Sequence, residues 1–343
     1  MGIIMNNLLK NNRLFFLLAL FSLAGCQNTP INNANGLPPP TPIKPPTDEK
    51  SQPSESQSSE KGRFGKSQTA TSKRPRQRTC WNRRGKGRVF ILAVGSNTHG
   101  LTETNRDAAR FAKAMRELFN VRQNRVCVLK NAYKKEFVHA LERLGDRRRV
   151  DADDLVIIFF SGHGTRLSDD NGDEKHDRLD EFFGTYAPKP RTRYLLRDDQ
   201  FSALILNIPT PNILTFIDAC FSAGLTKGKG SKERIKSLDG IIPNEGRTHV
   251  GTTLDPVKGV LLSASMENQP AIELPGRGGR FTLFFLEALK QARQKRQAVD
   301  LLKVFEKTRK KVYQHSRKHS EKVQMPVKKG PDELFRRING YIP

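Results

Sequence analysis

Two short segments of this 343-residue chain carry side chains that could do chemistry together. One is Ser161-Gly162-His163-Gly164, and the other is Asp218-Ala219-Cys220-Phe221-Ser222-Ala223-Gly224. A thiol and an imidazole suffice for acyl transfer: a nucleophile favoured as thiolate by an imidazolium, and an acid for the leaving amine. The glycines flanking His163 let backbone approach closely, and backbone N–H groups there can face a developing oxyanion. Taken singly each residue is ambiguous, since a lone cysteine is often an inert core residue. His163 and Cys220 are 57 positions apart, so only the fold can bring them together.

The elements around them bear on that. Residues 88–94, 126–129, 155–160, 213–217 and 260–262 are short apolar runs rich in β-formers. Residues 105–119, 134–144, 199–206, 281–292 and 299–313 read as helices, with apolar side chains recurring at helical spacing. Strands alternating with amphipathic helices predict an α/β doubly wound sheet. Residues 155–160 are apolar at every position, as expected of a central parallel strand covered on both faces. Ligand sites in such sheets lie beyond the carboxyl ends of the strands, which is where His163 and Cys220 both fall. Adjacent strands would set sulfur and imidazole side by side, and hydrolysis needs that sulfur open to solvent.

A strand ending in Ser-Gly-His-Gly, then a strand ending in Asp-Ala-Cys, resembles the caspase-like cysteine peptidases, most closely the metacaspase branch. Asn105-Arg106-Asp107-Ala108 and Gly279-Arg280-Phe281-Thr282 add to the likeness. The resemblance implies a caspase-like, mostly parallel sheet flanked by helices on both faces. It implies peptide-bond hydrolysis through an acyl-enzyme, with Cys220 as nucleophile and His163 as general acid/base. Backbone amides near Gly164 and Cys220 would hold the oxyanion, and no third orienting carboxylate is evident. It also implies an acidic pocket for an Arg or Lys preceding the cut, at Asp107, Ser161 and Asp218, since carboxylates suit a guanidinium. Asp107 has a second reading, as a first-turn acid complementing its helix dipole. Carboxylates used by Ca2+-dependent metacaspases match Asp180, Asp198 and Asp199, so Ca2+ is expected as an activator while the chemistry needs no cofactor. A solvated acidic loop, running from Asp169-Asp170-Asn171-Gly172-Asp173-Glu174, is the other account of that stretch. Lysines within residues 226–232 offer self-processing sites beside the nucleophile.

Residues 1–25 read as a lipoprotein signal peptide. Lys10 and Arg13 precede an apolar core, residues 14–21, too short to span a bilayer. Leu23-Ala24-Gly25-Cys26 resembles the lipobox of bacterial lipoproteins, which implies acylation at Cys26 and anchoring in the cell envelope. Gln27 favours the outer membrane, with the protein facing the periplasm or the surface. Residues 26–86, Pro- and Ser-rich and then basic, read as a disordered tether. Residues 87–340 read as the caspase-like peptidase domain that the resemblance implies, with its basic C-terminal helices. Of the formal net charge of +25, residues 61–90 and 290–343 contribute +11 each, so the centre of the chain is near neutral. Those basic ends suit anionic headgroups. Nucleic acid would suit the charge too, but a lipid-anchored exported protein rarely meets it.

Four cysteines exclude a disulfide-dense scaffold, and no run reaches 18 apolar residues, which excludes a polytopic membrane protein. Cys80 and Cys127 could form a disulfide outside the cytoplasm, but Cys127 reads first as ordinary core. The expected partner is a protein or peptide substrate with a basic residue before the cut. The rival to an enzyme is a catalytically silent caspase-like scaffold or binding module in the envelope.

Overall fold

The apolar runs become strands whose two faces are both covered. The computed structural model describes residues 80–81, 88–168, 179–189, 191–221, 233–238, 258–266, 269–295 and 297–343. In chain order the strands are β1 (Val89–Gly95), β2 (Val126–Lys130), β3 (Leu155–Ser161), β4 (His163–Ser168), β5 (Leu179–Gly184) and β6 (Leu195–Arg197). They continue as β7 (Ile213–Asp218), β8 (Arg234–Ile235), β9 (Val260–Ser263), β10 (Ile272–Leu274), β11 (Gly278–Gly279) and β12 (Val327–Lys329). The helices are α1 (Thr104–Leu118), α2 (Lys134–Leu144), α3 (Asp198–Leu206), α4 (Arg280–Arg293), α5 (Leu301–His319) and α6 (Asp332–Asn339).

Six strands form the central sheet in the order β12-β9-β7-β3-β1-β2, parallel except for β12. The period-two alternation of a strand divides its side chains between two cores. Val89, Ile91, Ala93, Leu155, Ile157 and Phe159 pack with apolar side chains of α1, α4, α5 and α6. Phe90, Leu92, Val94, Val156, Ile158 and Phe160 pack with those of α2 and α3 on the opposite face. At the centre of the first core Phe111 stacks on Phe159 at 4.4 Å and meets Phe216 edge-on at 4.6 Å. Register then lines up the strand ends, pairing Gly95 with Ser161 and Ser161 with Asp218. Among the described residues no helix is long and apolar enough to cross a membrane.

Two small antiparallel sheets sit outside this frame, β4-β5-β6 and β11-β10-β8. Neither is foreshadowed by the sequence, because strands of two to six residues leave little periodicity. His163, which follows β3, is the first residue of β4 and pairs with Gly184. The signal peptide, Cys26 and the tether as far as residue 79 lie outside the described residues, as do residues 169–178 and 222–232.

Of the two readings for Cys127, the disulfide is the one realised. Cys80 and Cys127 are bonded, both buried, with Cα atoms 5.5 Å apart. Beside them Trp81 packs edge-on against Phe90, and its carbonyl accepts a hydrogen bond of 2.6 Å from Arg149. The bridge spans 47 positions, and closing a loop of that order removes enough unfolded-state entropy to stabilise by about 2–4 kcal/mol. Reduction, or the Cys80→Ser/Cys127→Ser pair, should lower the unfolding free energy in denaturant by that amount. An unchanged midpoint and slope would show that the bridge contributes nothing.

Candidate active site

The ends of β3 and β7 bring the sequence's two reactive segments into contact. A Cβ on Gly164 would run into the carbonyl oxygen of Cys220, so only glycine lets these backbones meet. His163 Nε2 lies 3.0 Å from the carbonyl oxygen of Thr98 and 3.2 Å from that of His99. Two carbonyl neighbours can only accept, so Nε2 carries the proton and donates it. Nδ1 is then the unprotonated nitrogen, and it is buried without a hydrogen-bond partner among the described residues. A backbone carbonyl thus does the orienting work for which the sequence showed no carboxylate. The Cys220 Sγ lies 3.6 Å from the carbonyl oxygen of Gln269, a weak S–H donor contact.

Asp107, Ser161 and Asp218 also converge, around a residue the sequence did not single out. Lys236 has no exposed surface. Its ammonium is 3.0 Å from Asp218 Oδ1 and 3.9 Å from Asp107 Oδ2, and it donates at 2.9 Å to Ser161 Oγ. The carboxylates are held from behind. Gly279 N donates to Asp107 at 2.8 Å, and the Thr282 hydroxyl donates to Asp218 at 2.6 Å. The first-turn reading of Asp107 therefore does not account for it, since its carboxylate reaches β11 and Lys236. Burial pushes the Asp107 carboxyl up to about 7, with the Lys236 charge opposing and the Asp218 charge adding to the rise.

The backbone of Lys236 is held as specifically as its side chain. Its carbonyl oxygen accepts from Gly164 N at 2.9 Å and from Cys220 N at 3.2 Å. Two N–H groups converging on one carbonyl oxygen is the geometry that stabilises an oxyanion. Upstream, Ile235 pairs with Ile272 and Arg234 with Glu273 in antiparallel register, and Lys236 N donates to Ala271 O at 2.9 Å. Downstream, Leu238 N donates to Gly164 O at 3.0 Å. Residues 234–238 thus lie through the cleft like a bound peptide.

Two expectations need correcting as a result. Cys220, expected within reach of solvent, has no exposed surface, and His163 retains 2%. An imidazolium poised beside a thiolate is also disfavoured: burial above all, then the charges of His99 and Lys236, push His163 down to about 4 against its backbone hydrogen bonds. The imidazole is neutral here, a base with a free lone pair. Asp180, Asp198 and Asp199 come together as well, one ligand atom from each lying within 4.8 Å of the others. Arg197 approaches Asp180 at 3.4 Å.

Comparison with known proteins fits this geometry. The family model described as Caspase domain matches residues 87–331. Metacaspase-4 of Arabidopsis thaliana is 34% identical over 77 residues, which are 22% of this chain and 17% of that protein's length. A crystal structure of a Geobacter sulfurreducens protein superposes with a TM-score of 0.51 at 18% identity, covering 73% of this chain and 96% of that one, and shows the shared fold. Caspase-1 of Spodoptera frugiperda gives a TM-score of 0.44 at 17% identity over 74% of this chain and 91% of its own.

Removing one partner of a buried ion pair costs about 3–5 kcal/mol, so Lys236→Ala should loosen the covering segment. Alkylation of Cys220 by iodoacetamide, followed by peptide mass, should then run at least about tenfold faster than in the unaltered chain. Equal rates would mean that Lys236 does not hold the cover in place.

Proposed function

The chain belongs to the caspase-domain family, and from that premise we propose that it is a cysteine endopeptidase cutting after lysine or arginine. The observation that carries this reading is the seat of Lys236. Its carbonyl lies between the amides of Gly164 and Cys220 while its ammonium meets Asp218 and Asp107. A P1 residue, the one preceding the scissile bond, needs both anchorages.

The steps follow from the atoms. His163 Nδ1 takes the Cys220 thiol proton as the sulfur attacks the P1 carbonyl carbon, and the carbonyl oxygen becomes an oxyanion facing Gly164 N–H and Cys220 N–H. Collapse expels the amine, which receives the proton from His163, and leaves a thioester on Cys220. Water, deprotonated by the same imidazole, attacks the thioester, and the thiol leaves with that proton. Thr98 O keeps the ring oriented throughout by accepting from Nε2–H. The first substrate on this reading is the chain itself, at Lys236–Ser237, rather than at the lysines of residues 226–232. A covered sulfur would suit a silent scaffold as well, and turnover separates the two.

Asp180, Asp198 and Asp199 suit Ca2+, which takes oxygen ligands and would offset three converging carboxylates. The ion would supply no chemistry. It would brace β5, whose other end pairs with β4 at His163. An envelope location, with Cys26 acylated and the basic ends against anionic lipid, is consistent with the Cys80–Cys127 disulfide, since such bonds persist in oxidising compartments.

Incubated full-length chain should yield a fragment beginning at Ser237. That fragment should be absent in Cys220→Ala, retained in Lys236→Arg, and slowed at least about 100-fold in Lys236→Glu. Intact chain of unchanged mass, or cutting that survives Cys220→Ala, would end the peptidase reading. Millimolar Ca2+ should accelerate the same cut, with Asp198→Asn losing the acceleration. Identical rates in Ca2+ and in chelator would remove the cation from the account.

A further inference from the structure

Four residues before the cut, the covering segment meets a second buried charge. Arg280, the first residue of α4, has no exposed surface. Its guanidinium pairs with the carboxylate of Glu233, donates to Ser320 Oγ at 2.6 Å, and reaches Gln324 Oε1 at 3.4 Å. Ser320 Oγ in turn donates to the other Glu233 oxygen at 2.7 Å. Among the described residues no other carboxylate pairs with Arg280, and its Nε has no hydrogen-bond partner. His315 stands near this charge but stays neutral, pushed down to about 4 by burial first and by Arg280 next. The position next to Glu233 is built with the opposite sign. Glu273 is fully buried, and its two oxygens accept from Thr102 N and Glu103 N at 3.0 Å each. One of those oxygens also accepts from Arg234 at 3.0 Å.

We propose that the cleft reads a substrate four residues deep, selecting an acidic P4 through Arg280 and Ser320 and a basic P3 through Glu273, ahead of the basic P1. The inference deepens the peptidase reading and rests on it. Fully desolvated charges select strongly because the wrong guest leaves them unpaired, whereas the carboxylate at P3 sees an arginine that is partly in water. Arg280 is therefore the main specificity-determining residue beyond P1, and Glu273 a weaker one. The backbone pairing of Arg234 and Ile235 with β10 would hold any extended peptide in the register that delivers its P4 side chain to Arg280.

The self-processed protein, otherwise unaltered, should be assayed on fluorogenic Glu-Arg-Ile-Lys, Ala-Arg-Ile-Lys, Lys-Arg-Ile-Lys and Glu-Ala-Ile-Lys peptides. Replacing P4 Glu by Ala should lower kcat/KM at least about tenfold, and by Lys about 100-fold, while P3 Ala should lower it a few-fold. In the full chain, Glu233→Lys should slow release of the Ser237 fragment by a similar factor. Arg280→Met, if its near-ultraviolet dichroism is native, should level the P4 series without changing the Lys preference at P1. Equal kcat/KM across the P4 series overturns the inference and leaves the peptidase reading intact. No turnover of any peptide, together with no self-cleavage, overturns both.

Discussion

The Lys236 ammonium, stripped of all solvent, has to be matched by counter-charge, and meeting that demand arranges the whole cleft. An unpaired ammonium in such a place would be unfavourable by several kcal/mol, so the fold surrounds it from several directions. Asp218 comes from the end of β7, Ser161 from the end of β3 and Asp107 from the first turn of α1. Gly279 and Thr282, at the start of α4, fasten the two carboxylates. Fixing the ammonium fixes the backbone that bears it. The Lys236 carbonyl falls between the amides of Gly164 and Cys220, and Arg234 and Ile235 fall against β10.

The same contact explains why the reactive groups are quiet. Residues 234–238 occupy the cleft, Cys220 has no exposed surface and His163 is neutral. Burial drives the Asp107 carboxyl up and the His163 imidazole down, since desolvation disfavours whichever form is charged. Both shifts would relax together when the segment leaves and water returns. On the peptidase reading proposed above, blocking and recognition are one set of interactions.

The parallel sheet makes this economical. Gly95, Ser161 and Asp218 share one row at the carboxyl ends of β1, β3 and β7. The groups that touch Lys236 come from the ends of β3 and β7 and just beyond, from the first turn of α1, from β4 and from Ala271 beside β10. Strands with two cores behind them hold the row, and the appended sheets carry further residues of the site: His163 on β4, Asp180 on β5 and Glu273 on β10.

The sequence by itself determined the doubly wound sheet, because β1, β3 and β7 are apolar along their length and the helices between them carry a clear 3.6-residue period. Residues 134–144 were legible to their exact ends as α2. His163 and Cys220 were legible because each follows a strand, flanked by small residues, and Asp107, Ser161 and Asp218 followed from the family likeness. Tertiary structure alone decided the rest. The strands β8, β10 and β11 have two or three residues each, too few to show a period, and β8 exists only through pairing with the distant β10. Cys80 meets Cys127 across 47 positions. In the sequence Lys236 is one of 60 basic residues and Arg280 another. What sets them apart is burial against carboxylates from other elements, Asp218, Asp107 and Glu233, and the energy of a charge depends on surroundings that a linear pattern does not contain.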